Sequence, residues 1–222
     1  MAVPLRQALR RAAAPIWQAI FRHPFIVEIG AGTLPREKFT FFICQDSLYL
    51  RDFARVLCLS GAKAQDRERM DLFARHAHSA LVVERTVHQK FARRLGLTQR
   101  ALERTPLQPV TQAYTRHLLS VAEMEGLAEV AAAILPCYWT YQEVGRRLQR
   151  SRPKEPLYAQ WVRAYPGKQF SALVQEQFRL VDRLGREVTL AQRQRMTAHF
   201  VTSSRYEYLL WEQAYQLRGW PV

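Results

Sequence analysis

The chain has 222 residues, 48% of them hydrophobic and 23% charged, with only nine glycines; that balance excludes a disordered chain and suits one substantial core. No run approaches the ~18 uninterrupted apolar residues of a membrane-spanning helix. The net charge of +14 comes from 33 basic residues, five of them lysines and therefore 28 arginines, scattered in short pairs such as Arg93-Arg94 and Arg146-Arg147 rather than gathered into the stripe or motif of a specific nucleic-acid binder.

Apolar spacing is helical almost throughout, which predicts an all-α chain. A first helix is expected over 4–22, with Leu5, Leu9, Ile16, Ile20 and Phe21 on its inner side, broken at His23-Pro24. The same stretch is rich in arginine and free of acids, as transit peptides are, but its periodicity suits a core helix. A loop carrying Gly30 and Gly32 follows. Pro35 then opens a long helix to about Ser60, with Thr33 as its expected cap. A helix over 66–95 stops at Gly96, and Pro106 and Pro109 open another that reaches Glu125. The next runs from Leu127 to about Arg150, ended by Ser151-Arg152-Pro153. A shorter helix is expected over 156–165 and another over 168–185. Thr189 with Gln192 forms a capping-box pattern that starts a final helix reaching about Leu217. No linker or repeat divides the chain, so a single domain over 1–222 is expected.

Four of these helices carry polar groups on stripes that should be apolar. One stripe runs Phe39, Phe42, Asp46, Tyr49, Phe53, Val56. A second runs Val110, Tyr114, His117 or Leu118, Val121. A third runs Val130, Ile134, Cys137, Tyr141, Val144, Leu148, and the last Met196, Phe200, Ser204, Glu207, Trp211, Ala214. A lone buried carboxylate costs several kcal/mol, so Asp46 and Glu207 require either satisfied partners or a task. A buried free cysteine alone is usually a small hydrophobe. Together, a thiol, two carboxylates and several tyrosines facing one interior supply a nucleophile, a proton carrier and stacking walls. Burial among Phe200 and Trp211 should raise the Glu207 carboxyl toward neutrality.

The motifs around these positions resemble the TenA/thiaminase II family in order along the whole chain. The carriers are His23-Pro24-Phe25, the run from Gly30 to Pro35, Gln45-Asp46-Ser47-Leu48-Tyr49-Leu50, Ala113-Tyr114, the run from Pro136 through Cys137 to Tyr141, Trp161 with Tyr165, and Tyr206-Glu207 with Trp211. Leu210 departs from the phenylalanine common there. The resemblance implies a heme-oxygenase-like helical bundle, assembled as a homotetramer and acting without a cofactor. It also implies hydrolysis of aminomethyl-aminopyrimidine or thiamin to hydroxymethylpyrimidine. In that scheme Cys137 is the nucleophile and Glu207 the acid and base. Asp46 holds the ring's amino group, while Tyr49, Tyr114, Tyr141 and Tyr165 stack on the ring or bond the acids. Cys44, Cys58 and Cys137 show no CxxC pairing, which suits a reducing cytoplasm.

Two other classes compete. A heme or metal protein on the same scaffold needs ligands; His23 is the axial candidate, while none of His23, His76, His78, His88, His117 and His199 has a glutamate three residues before it, as a carboxylate-bridged di-iron site requires. A non-catalytic regulator that binds nucleic acid is suggested by the net charge alone.

Overall fold

The computed structural model describes residues 3–83, 89–165 and 167–222, which form twelve helices and no strand. They are α1 (Leu5–Ala12), α2 (Ala14–Arg22), α3 (Pro24–Ala31), α4 (Arg36–Lys63), α5 (Arg67–Val83), α6 (Gln89–Arg94), α7 (Gln99–Glu103), α8 (Pro109–Met124), α9 (Leu127–Ser151), α10 (Pro156–Ala164), α11 (Lys168–Glu187) and α12 (Leu190–Tyr215). The expected all-α class holds. Helix α9 is the hub, packing on α12, α11, α10 and α8, while α4 packs on α5 and α8. The small side chains of Ala128, Ala131, Ala132 and Ala133 are all buried and let neighbouring helices approach the first half of α9. Pro136 lies within α9. It has no N–H for the carbonyl of Ala132, so one rung is missing from the helix ladder just before Cys137.

The expected loop at Gly30 and Gly32 is instead mostly helix α3. His23 caps it by accepting the Phe25 amide at 3.1 Å, with Pro24 at the first helical position. Gly32, at φ 78, ends it in a Schellman arrangement: its amide donates to Ile29 and that of Thr33 donates to Glu28. Phe25, Ile26 and Ile29 go into the core. The glycines read as loop signals because one of them is a helix terminator. Thr33 is accordingly not the cap of α4; Pro35 takes that place with no side-chain bond.

The first expected helix is interrupted at Ala13, where α1 ends and α2 begins with Pro15 in its first turn. Leu9, Ala13, Trp17 and Ile20 are completely buried, so this arginine-rich stretch packs as part of the fold. Of the helix expected over 66–95, residues 84–88, including His88, lie outside the described residues, and the flanks are α5 and α6. A short α7, capped by Thr98 accepting from Ala101 at 3.1 Å, was not expected. The capping box at Thr189 and Gln192 is present with both bonds. No helix among the described residues is long and apolar enough to cross a membrane.

Candidate active site

All four polar stripes face the interior. Asp46 and Tyr49 come from α4, Tyr114 from α8, Cys137 and Tyr141 from α9, and Glu207 from α12. Tyr165 follows α10 directly. Asp46, Tyr49, Tyr114, Tyr141 and Glu207 are buried, whereas Cys137 and Tyr165 keep partial exposure. The structure brings all seven together.

Glu207 is wholly buried. Its Oε1 accepts a hydrogen bond from the Tyr114 hydroxyl at 2.8 Å, and its Oε2 is buried without a partner. Desolvation raises its pKa to about 8; the Tyr114 bond opposes the rise and the Asp46 charge adds to it. The expectation of a carboxyl raised toward neutrality is met. Across the site, the Tyr141 hydroxyl donates to Asp46 Oδ1 at 3.5 Å, the long limit of such a bond.

Cys137 lies within the fields of both carboxyls. Burial pushes its thiol well above the ordinary range, and Glu207 and Asp46 push it further, while the Tyr49 hydroxyl pulls it back by favouring the thiolate. That hydroxyl faces the thiol without a hydrogen bond of full geometry. The resting group is therefore a thiol, which becomes a nucleophile only when its proton has somewhere to go.

Aromatic rings enclose these groups. Tyr49 and Tyr114 lie 5.0 Å apart, and Tyr206 stacks on Tyr114 at 5.2 Å. Tyr141 stands 5.0 Å from Tyr165 and 5.2 Å from Trp211, whose indole stacks on Phe42 at 5.0 Å. The phenols of Tyr49, Tyr114, Tyr141 and Tyr165 are all raised well above their ordinary value, chiefly by burial, so they act as neutral donors and walls. Leu210 is buried in the core beside them.

Several supports had not been assigned roles from the sequence. Gln45 clamps the turn before α8, its amide donating to the Pro106 carbonyl and accepting from the Gln108 amide, both at 3.0 Å. Trp17 donates to Ser204 at 3.0 Å and ties α2 to the α12 stripe. His76 and Glu176 form a buried chain with Tyr138, the residue after Cys137. A signal for His76 existed, since it stands beside Phe73, Ala77 and Ala80 on the core face of α5. His23, the heme-ligand candidate, uses both ring nitrogens inside the protein: Nδ1 caps α3 and Nε2 bonds Glu212 at 3.0 Å.

The chain matches the TENA/THI-4/PQQC family over residues 10–217. It is 38% identical over 211 residues to the aminopyrimidine aminohydrolase of Bacillus subtilis strain 168, covering 95% of this chain and 89% of that protein. Among solved structures it superposes on a TenA homologue from P. horikoshii OT3 with a TM-score of 0.89 at 30% identity, covering 96% and 99% of the two chains. A domain with a heme oxygenase-like fold from Shewanella denitrificans OS217 matches at a TM-score of 0.76 and 15% identity, covering 98% and 94%.

Proposed function

Because the chain belongs to the TENA/THI-4/PQQC family, we propose that it is an aminopyrimidine hydrolase of thiamin salvage, releasing ammonia from aminomethyl-aminopyrimidine or thiazole from thiamin and leaving hydroxymethylpyrimidine. The observation that carries this reading is the pairing of the Cys137 thiol with a carboxyl raised to about 8, Glu207, inside a ring-lined interior. The named activity of the Bacillus subtilis relative supports the substrate class.

The residues fill the following roles. Asp46 accepts from the ring's amino group and orients the pyrimidine between Tyr49, Tyr114, Tyr141 and Tyr165. A leaving group on an exocyclic methylene resists direct displacement by water, so the ring must be activated first. Protonated Glu207 gives its proton to a ring nitrogen, and the carboxylate so formed takes the proton of Cys137 as sulfur bonds to a ring carbon. Aromaticity is lost at that step. Electrons from the ring nitrogen then expel thiazole as a neutral ring, or ammonia after Glu207 has given its proton to the amine. Water adds to the methylene and gives up a proton, to the Glu207 carboxylate after ammonia leaves and to solvent after thiazole leaves. The carbon–sulfur bond then breaks to restore the ring, and Glu207 passes the ring-nitrogen proton back to sulfur. Tyr114 steadies one carboxyl oxygen and leaves the other for this transfer.

The chain works as a single domain, in the cytoplasm, as a homotetramer; exposed apolar side chains such as Met124 and Leu190 support an assembly that covers them. The test is direct. Purified protein is incubated with aminomethyl-aminopyrimidine and, separately, with thiamin, and hydroxymethylpyrimidine is followed by mass spectrometry. Formation from either substrate, absent in Cys137→Ser, supports the reading; no product from either overturns it.

A further inference from the structure

One buried chain of titratable groups has no part in the chemistry above. His76 on α5 is almost entirely buried. Its Nε2 lies 2.8 Å from Glu176 Oε2 on α11, and its Nδ1 lies 2.9 Å from the Tyr138 hydroxyl on α9 and 3.3 Å from the Gln177 amide nitrogen. These partners fix the tautomer. An ionised carboxylate only accepts, so Nε2 carries the proton. Nδ1 is then bare, and both the Tyr138 hydroxyl and the Gln177 amide donate to it. We propose that Glu176, His76 and Tyr138 form a positioning triad for the site, with neutral His76 fixing the Tyr138 ring that braces the walls around Cys137.

Tyr138 is well placed to pass on the state of His76. It follows Cys137 on α9, and a thiolate there would raise its phenol further. Its ring packs against Phe53 at 5.6 Å and stacks on Phe170 at 6.3 Å. Phe53 in turn stacks on Tyr49 at 5.5 Å, and Phe170 stands edge-on to Tyr165 at 5.5 Å. One phenol thus joins two walls of the site, one of them carrying the Tyr49 hydroxyl that faces the thiol.

The outer end of the chain reaches water, where Glu176 is a quarter exposed and also bonds Arg75 at 3.2 Å. Burial raises the Glu176 carboxyl, but the bonds from His76 and Arg75 outweigh it and hold the group below its ordinary value. Burial lowers His76, with Arg75 acting in the same direction and Glu176 against it. The groups facing His76 are thus Arg75 on its own helix, Glu176 on α11, and Tyr138 with Cys137 beyond it on α9. When His76 takes a second proton, Nδ1 becomes a donor. Tyr138 must then accept, and its own proton leaves the triad. The phenol is no longer held in the same geometry, and the Phe53 and Phe170 contacts that set Tyr49 and Tyr165 around the thiol shift with it.

This inference rests on Cys137 as nucleophile, so the test uses two readouts, one independent of turnover. Steady-state rates and alkylation of Cys137 by iodoacetamide, followed by mass spectrometry, are measured from pH 5 to 9 on wild type, Tyr138→Phe and His76→Gln. Tyr138→Phe removes one oxygen and should lower kcat on the order of 10–100-fold with KM little changed, the scale of a small misplacement of reacting groups. Its acid limb below about pH 6.5, the ordinary imidazole range, should vanish in both readouts. His76→Gln keeps a neutral donor and acceptor, so kcat should recover to within about threefold of wild type while the acid limb is still lost. Wild-type pH midpoints in both readouts for Tyr138→Phe would overturn the triad, whatever its melting temperature. If Cys137→Ser keeps its turnover, the nucleophile assignment fails by itself, and the alkylation profiles still decide whether the triad acts on the thiol.

Discussion

Tyr114 donates to one oxygen of Glu207 at 2.8 Å, and the other oxygen of that carboxyl is buried with no partner. The two oxygens are therefore unequal. The bonded one anchors the side chain, while the bare one is the oxygen that the proposed mechanism uses to hold and pass on a proton. An orphaned polar atom costs about 1–3 kcal/mol; Glu129 Oε2 is bare too, but its other oxygen meets the Arg195 guanidinium, whereas that of Glu207 meets a neutral phenol.

Glu207→Gln keeps the shape and the bond to Tyr114 but carries no transferable proton. Turnover should fall on the order of 10²–10⁴-fold with little change in product affinity. The same variant should be more stable than wild type at neutral pH. A carboxyl raised from 4.5 to about 8 binds more protons folded than unfolded, so its contribution is fully present below pH 4.5 and is lost as pH rises to about 8. The penalty at pH 7 is on the order of 3 kcal/mol. The gap in Tm between variant and wild type should widen from pH 5 to pH 8. A constant gap would contradict the raised carboxyl.

Cys137→Ser should fold and bind product normally while losing most turnover, because a hydroxyl is a far weaker nucleophile at neutral pH. Cys44→Ser and Cys58→Ser should keep most activity, since Cys58 is exposed and Cys44 lies off the site stripe of α4. Equal losses in all three variants would remove Cys137 from its role.

Asp46→Asn should weaken binding of the hydroxymethyl product by roughly 1.5–3 kcal/mol, the range for a hydrogen bond to a charged group. Isothermal calorimetry reads this directly. Unchanged affinity would mean that Asp46 takes no part in holding the ring.

His23, His76 and His117 all lie below the ordinary imidazole value of 6.5, each chiefly through burial, and His117 falls to about 4. The unfolded chain therefore binds more protons than the folded one below pH 6.5. Their contribution to stability is present above that value and is lost as pH falls toward the folded values. It runs opposite to that of Glu207. In His117→Gln, thermal unfolding should show a shallower loss of Tm between pH 6.5 and 5 than in wild type. A parallel loss would place the acid sensitivity elsewhere.

The site was more legible in the sequence than the helix boundaries. Asp46, Tyr49, Tyr114, Cys137, Tyr141 and Glu207 stand on long helices, where a polar residue at a core position is conspicuous because the period is unbroken. Helix α3 was hidden because its cap is a histidine and its terminator a glycine, and both read as loop chemistry without the bonds they make. The break at Ala13 left no mark in the apolar pattern, which continues through Leu9, Ala13 and Trp17. His76 and Glu176 could not be paired from the sequence, since a hundred positions separate them and only packing brings α5 beside α11.

The aromatic wall also gives the protein an optical signature. Of its five tryptophans, Trp161 and Trp211 sit in the site, 6.1 Å apart and nearly perpendicular. The Trp211 Nε1 is buried with no hydrogen bond, an environment that shifts indole emission to the blue. Trp220 is half exposed near the C-terminus and emits further to the red. The fluorescence of the folded chain is therefore a composite whose blue part comes from Trp161 and Trp211 beside Tyr141 together with the equally buried Trp17. An electron-poor pyrimidine stacked in the site would quench part of the blue emission and spare the red, so occupancy can be followed without a label.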